Sequence, residues 1–315
     1  MENIKKTVAI YLVCAASMFA EELITPIPFE SQYDIKKALL GRKLFFETRL
    51  SHDNTISCAS CHFIEDGGDD NSPISFGIGG NTGTRNSPTV LNAIYNSVQF
   101  WDGRAKNLQE QVVVPIHNPV EMGSSFKEVI SKLIKDDNYL GEFLSIYKDG
   151  ITGLNITDAI SEFEKSLTTP NSRFDQYLRG DKKVLSDDEK EGYKLFKEYG
   201  CISCHNGVNI GGNLMQKIGV MSDAKSLDFG KFNITKKEED RFYFKVPSLR
   251  NIELTAPYFH NGQVETLKDA VEKMAEYQIG YLLEEKEIES IVKFLKTLTG
   301  DRPKTIGISD EKIYN

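Results

Sequence analysis

Histidine and cysteine are scarce in this 315-residue chain, at five each, and tryptophan occurs once. Basic residues are outnumbered: 38 Lys and Arg stand against 46 Asp and Glu, a formal net charge of -8. That balance excludes the basic surface that nucleic acids require. It permits a basic protein partner. Beyond the first twenty residues no apolar run is long enough to cross a bilayer, so no transmembrane span is expected in the mature chain. Low-complexity segments are absent, and 40% hydrophobic residues suffice for a core without staples.

Residues 1–20 read as a secretory signal. Lys5 and Lys6 give a positive start, Thr7 to Phe19 is largely apolar but short, and Ala20 is a plausible cleavage residue. The expected location is therefore the periplasm. Cys14 lies in that signal, which leaves Cys58, Cys61, Cys201 and Cys204.

These four form two C-x-x-C pairs, and each pair is followed at once by histidine, His62 and His205. In C-x-x-C-H the two thiols form thioethers with haem vinyl groups, and the histidine reaches the iron as proximal ligand. Two disulfides, or one zinc site of four thiolates, are the other readings. Zinc needs no histidine after both pairs. Two covalently bound haem c groups are the expected cofactors.

An internal repeat supports two related domains. Gly41-Arg42-Lys43-Leu44-Phe45 precedes the first motif, and Gly192-Tyr193-Lys194-Leu195-Phe196 precedes the second. Helical periodicity dominates: 126–134, 140–147, 156–167, 267–277 and 287–298 are amphipathic. Asn155 or Thr157 is the expected cap of the third run, and Gly300 the C-cap of the last. Asp66 to Pro88 is a long loop rich in Gly, Asn, Ser and Pro, and such loops tend to be functional. Lys231 to Phe244 is a short strand pair or a loop. The expected fold is all-α, two cytochrome c-like haem domains with long loops. The expected boundaries are 21–170 and 171–300, with a tail over 301–315.

Further signatures appear in order: Arg85-Asn86-Ser87-Pro88-Thr89-Val90-Leu91-Asn92, Phe100-Trp101-Asp102-Gly103-Arg104 and Asn118-Pro119-Val120-Glu121-Met122. Pro247-Ser248-Leu249-Arg250-Asn251 and Thr255-Ala256-Pro257-Tyr258-Phe259-His260 come after them. From Leu39 to Gly300 the chain resembles the bacterial di-haem cytochrome c peroxidase family, which includes the MauG-type maturation enzymes. The resemblance implies reduction of hydrogen peroxide with electrons from a small periplasmic cytochrome c or cupredoxin. It implies a peroxidatic N-terminal haem, an electron-accepting C-terminal haem, a calcium ion between the domains, and a homodimer.

Residue by residue, the resemblance makes Met274 the axial partner of His205 on the second haem, where methionine raises the potential. Trp101 lies between the haems. Glu121 is the distal acid–base residue and Gln111 the distal amide. Asn86, Thr255 and Pro257 are the calcium contacts. Arg250 and His260 are candidates for contact with haem propionates. A MauG-like oxidase acting on a partner protein is the alternative within the enzymes, but that type uses tyrosine where Met274 stands. A pure electron carrier is the alternative outside them, and Glu121 and Gln111 argue against it.

One departure matters. Many family members place a ligating histidine in the loop before Arg85-Asn86-Ser87-Pro88. Here that position is Ile78, which cannot bind iron, and no histidine occurs between His62 and His117. The expectation is a first haem open to peroxide at rest, with His117 as the substitute ligand if it is closed.

Overall fold

The computed structural model describes residues 23–224 and 226–303; the expected secretory signal lies outside them. The described residues are mostly helical, with one small antiparallel sheet. None of their helices is long and apolar enough to cross a membrane.

The first half contains α1 (Ile35–Phe45), α2 (Leu108–His117), α3 (Phe126–Leu133), α4 (Asp137–Ile146) and α5 (Gly153–Ser166). The second contains α6 (Arg173–Leu178), α7 (Asp187–Glu198), β1 (Met215–Lys217), α8 (Phe232–Thr235), β2 (Tyr243–Lys245), α9 (Leu267–Met274) and α10 (Glu285–Lys296). β1 and β2 pair antiparallel, with Met215 opposite Lys245. A π-helical turn, Ala275–Ile279, comes directly after α9.

Two helix crossings organise the halves, and each depends on a glycine. A Cβ on Gly41 would stand 1.8 Å from the Ala159 carbonyl oxygen of α5. A Cβ on Gly192 would stand 1.9 Å from the Ser290 carbonyl oxygen of α10. Only the absence of a side chain lets α1 meet α5, and α7 meet α10, backbone to backbone. Each crossing brings the same aromatic pair together: Phe45 and Phe163 at 5.3 Å between ring centroids, Phe196 and Phe294 also at 5.3 Å. Phe45 then lies 6.5 Å from the His62 ring, and Phe196 lies 6.4 Å from His205. Separate apolar cores build on these crossings, one over Leu40–Leu167 and one centred on Phe174, Tyr193, Phe196 and Phe294.

The repeat runs further than the helices. Gln99 and Ala105 close a tight turn by a backbone bridge, and so do Tyr258 and Val264. Phe100 and Phe259 both take left-handed backbone, at φ 65° and 68°. Asn92 and Asn251, each four residues after a proline, are both at φ 60°. Trp101 and His260 therefore occupy corresponding places at the tips of corresponding turns.

Three local expectations are corrected. The cap of α5 is Thr152, whose hydroxyl accepts the Asn155 backbone N–H at 3.1 Å. Asn155 instead turns its amide to Asp149 and the Gly150 carbonyl, and Thr157 lies inside the helix. Gly300 is no C-cap, because α10 ends at Lys296 and is capped by Thr297. Its small size serves a close approach instead: a Cβ there would sit 1.9 Å from the Thr169 carbonyl oxygen. Lys231–Phe244 is neither a strand pair nor plain loop, because it holds α8 and then enters β2, whose partner β1 lies earlier.

Gly41→Ala tests the first crossing. Better helix propensity gains about 1 kcal/mol, but forcing a methyl between touching backbones costs about 1–3 kcal/mol or more. We expect a lower urea midpoint with an unchanged slope. A midpoint at or above that of the wild type would contradict the crossing.

Candidate haem sites and the junction between them

Each C-x-x-C-H segment is a single tight turn. Cys58–Ser60 and Cys201–Ser203 are short 3-10 turns, in which the His62 N–H donates to the Cys58 carbonyl at 3.1 Å and the His205 N–H to the Cys201 carbonyl at 3.0 Å. All four cysteines are free of disulfides. Burial pushes the Cys61 and Cys201 thiols up to about 11, the Cys58 thiol further, and the Cys204 thiol upward as well. Thiols held protonated are poor partners for thiol–disulfide exchange. Among the described residues no cluster of three or more His, Cys, Asp or Glu side chains is placed to hold a metal ion.

The histidines are prepared as ligands. His62 Nδ1 lies 3.1 Å from the Gly68 carbonyl oxygen. A carbonyl only accepts, so Nδ1 carries the hydrogen and Nε2 keeps its lone pair. Burial lowers the pKa of His62, and it pushes His205 down to about 4, so His205 is neutral. Among the described residues His205 Nδ1 is buried with no well-formed hydrogen bond, although the Ile210 and Pro247 backbones lie near enough to pull its pKa back up against burial.

Beside His205 opens a cavity of about 390 Å³, within the range of small-molecule and cofactor pockets. Its walls include Cys201, Cys204, Trp101, His260 and Met274. Met274 ends α9, immediately before the π-helical turn; such turns recur at functional sites. Neither Met215 nor Met221 lines this cavity: Met215 packs on Gly103 and Met221 on Gly280.

Arg250 is corrected as a propionate candidate. It is fully buried against Asp175 at 2.8 Å, and it donates to the Val208 and Thr25 carbonyls and to Ser172 Oγ. Its donors are spent inside the protein. His260 remains on the cavity wall, stacked on Phe244 at 4.2 Å, with Nε2 3.1 Å from Ser226 Oγ.

Around the first motif the 75–83 loop folds onto the 118–123 turn. The Ile78 N–H donates to the Glu121 carbonyl at 2.8 Å, and the Ile78 side chain fills the space that a Gly123 Cβ would take. The Phe76 carbonyl lies 3.9 Å from Cys61 Sγ. Glu121 Oε1 accepts the Asn118 amide at 2.7 Å. Burial raises the Glu121 pKa, against the pull of Asn118 and Arg104, and its charge is felt at Cys61. The loop, the motif and the carboxylate are thus neighbours. Gln111 lies half-buried on α2, and its amide makes no hydrogen bond among the described residues. His117 is exposed: Nδ1 donates to the Val113 carbonyl at 2.8 Å, and its ring packs on Phe126 at 4.9 Å. His52 is also exposed and pairs with Glu128.

Trp101 sits where the halves meet. Its indole N–H donates to the Asn86 carbonyl at 2.9 Å, and its ring centroid is 6.3 Å from that of His260. The Asn86 N–H donates to the His260 carbonyl at 2.8 Å, and the Lys245 N–H to the Trp101 carbonyl at 2.7 Å. Arg85 clamps this region: it holds Asp228 through two nitrogens, at 2.6 and 2.9 Å, and also pairs with Asp102. The side-chain oxygen of Asn86 and the carbonyls of Thr255 and Pro257 accept no hydrogen bond among the described residues. Oxygens of this kind are the donor type that a hard cation takes.

Two buried ionisable residues carry no signal in the motifs. Lys245 reads as a charged surface residue yet is 5% exposed. Glu164 sits on α5, its charge felt at Cys58 of the first motif; it is 4% exposed, with Oε2 unpartnered among the described residues. Periodicity of α5 would have flagged Glu164, which falls on its buried face.

Two histidine-bearing attachment turns in two cytochrome c-like halves define a di-haem c-type protein. Residues 35–183 match the family described as di-haem cytochrome c peroxidase, and residues 189–299 match cytochrome c. The chain is 47% identical to cytochrome c551 peroxidase of Nitrosomonas europaea, over 92% of this chain and 87% of that one. It is also 47% identical to cytochrome c peroxidase Ccp of Escherichia coli, over 89% of this chain but only 61% of that longer relative. MauG of Methylophilus methylotrophus is more distant, at 29% over 87% of this chain and 86% of that one. Among solved structures, a MauG-like protein associated with microbial copper homeostasis superposes with a TM-score of 0.78, at 27% identity, over 88% of this chain and 93% of that one. The chain belongs to the di-haem cytochrome c peroxidase family. Membership brings two haem c groups, and the attachment turns, the neutral histidines and the cavity fit them.

Glu164 supplies a pH test. Burial alone pushes its carboxyl up to about 8. The unfolded chain loses this proton near the ordinary value while the folded chain keeps it. Stability from this group therefore falls as pH rises from about 4.5 toward 8, by at most about 1.4 kcal/mol per unit. Glu164→Gln should flatten that fall: no gain in denaturation midpoint at pH 5, a clear gain at pH 8. Parallel pH profiles for the two proteins would refute the assignment.

Proposed function

We propose that the protein reduces hydrogen peroxide to water in the periplasm, with electrons from a small cytochrome c or a cupredoxin. The observation that carries this reading is the asymmetry of the two sites. The cavity beside His205 offers a second ligand, Met274. The surroundings of His62 offer Ile78, which cannot ligate, and a half-buried carboxylate, Glu121.

When bound, the two haems supply the metal centre for peroxide and a store for electrons. The chain's residues then have separate tasks. His62 and His205 would hold the two haems through Nε2, and Met274 would be a second holding residue at the second site. Glu121 takes a proton from one peroxide oxygen and delivers it to the leaving one; burial raises its pKa, which makes it a stronger proton acceptor than an exposed carboxylate. Gln111 would offer its amide as a hydrogen-bond donor to the peroxide. Trp101, pinned by Asn86 and Lys245, stands on the path between the halves. Asn86, Thr255 and Pro257 hold a calcium ion that ties the two halves at this junction. The family resemblance supports a homodimer.

The direct test is steady-state oxidation of reduced cytochrome c by hydrogen peroxide, starting from fully oxidised enzyme. With Ile78 in the loop, turnover should begin without a lag. Activity only after pre-reduction would overturn the open first site, and no activity would overturn the peroxidase reading. Glu121→Gln should keep both haems and lose turnover by about 100-fold or more. A near-normal rate would remove Glu121 from its role.

A further inference from the structure

The wall of the second cavity is mostly apolar, and no Asp, Glu or Arg lines it. Lys245 is the one strongly basic side chain there. It is 5% exposed, and its ammonium has neither an ion pair nor a hydrogen bond among the described residues. Its Nζ is not among the fully enclosed unpartnered atoms, so it faces the cavity rather than packed protein. An ammonium held against a mostly apolar wall with no partner is costly, and proteins pair such groups or neutralise them. Burial indeed pushes this lysine down to about 8. It keeps most of its charge at neutral pH but strains toward a partner. The described residues supply none.

Its place is specific. Lys245 ends β2, two residues before Pro247, and Asn86 stands two residues before Pro88 in the corresponding segment. Its backbone is fixed to the Trp101 carbonyl, at the junction of the halves. We propose that Lys245 pairs with a carboxylate of the second haem, on the side that faces Trp101, and raises that haem's potential. The proposal rests on the two-haem reading. Arg250, whose donors are consumed by Asp175 and backbone carbonyls, leaves this task to Lys245. A positive charge on a haem carboxylate offsets that group's negative charge and favours the reduced state, which suits the site that accepts electrons.

The test is a spectroelectrochemical titration of the second haem in holoenzyme carrying Lys245→Met, Lys245→Gln or Lys245→Arg. Haem content is first counted in the wild type by its pyridine adduct, so a failure of the two-haem reading shows separately. The neutral variants should shift the one-electron equilibrium about tenfold toward the oxidised haem, which is about 59 mV. Lys245→Arg should restore most of the shift. Loss of haem attachment in both neutral variants, with retention in Lys245→Arg, also supports a charge requirement. Wild-type potential in either neutral variant overturns the proposal, and so does loss of attachment in all three.

Discussion

The architecture turns on a reciprocal exchange of two backbone hydrogen bonds. Asn86 of the first half donates to His260 of the second, and Lys245 of the second donates to Trp101 of the first. Each net bond is worth only about 1 kcal/mol. Their value is positional, because they lock the tips of two corresponding turns against each other. Trp101 and His260 are brought ring to ring, and the segment after each attachment turn is fixed relative to the opposite half. The Arg85 ion pairs with Asp102 and Asp228 brace the same place.

Around that axis the halves are built alike and finished differently. Glycine crossings, aromatic pairs and attachment turns repeat almost residue for residue. Beyond the attachment turns the two halves diverge. The second half continues into a helix ending at Met274 and a sheltered cavity. The first half continues into a loop pinned over Glu121 by Ile78 and Gly123. A shared scaffold thus carries one site suited to electron storage and one suited to chemistry.

Much of this was legible in the sequence. The C-x-x-C-H turns, the Gly-x-Lys-Leu-Phe repeat and the helix pattern are local signals, and local physics enforces them. The second repeat, x-Phe-(Trp/His)-(Asp/Asn)-Gly, was also present but spaced differently within each half, and only the backbone made it plain. Arg250 misled because charge suggests a ligand contact, whereas its position beside Asp175 depends on packing from distant segments. Lys245 was silent because its burial is decided by segments distant in the chain, most of them in its own half, whereas Glu164 carries no motif and is signalled only by the apolar spacing of α5.

The asymmetry of the two sites is the central claim, and the spin states of the oxidised enzyme test it most directly. Low-temperature electron paramagnetic resonance of the resting protein should give one high-spin and one low-spin ferric signal in equal amounts, the low-spin one with histidine–methionine character. Two low-spin signals would mean that the first site is closed by a ligand, and would contradict the account.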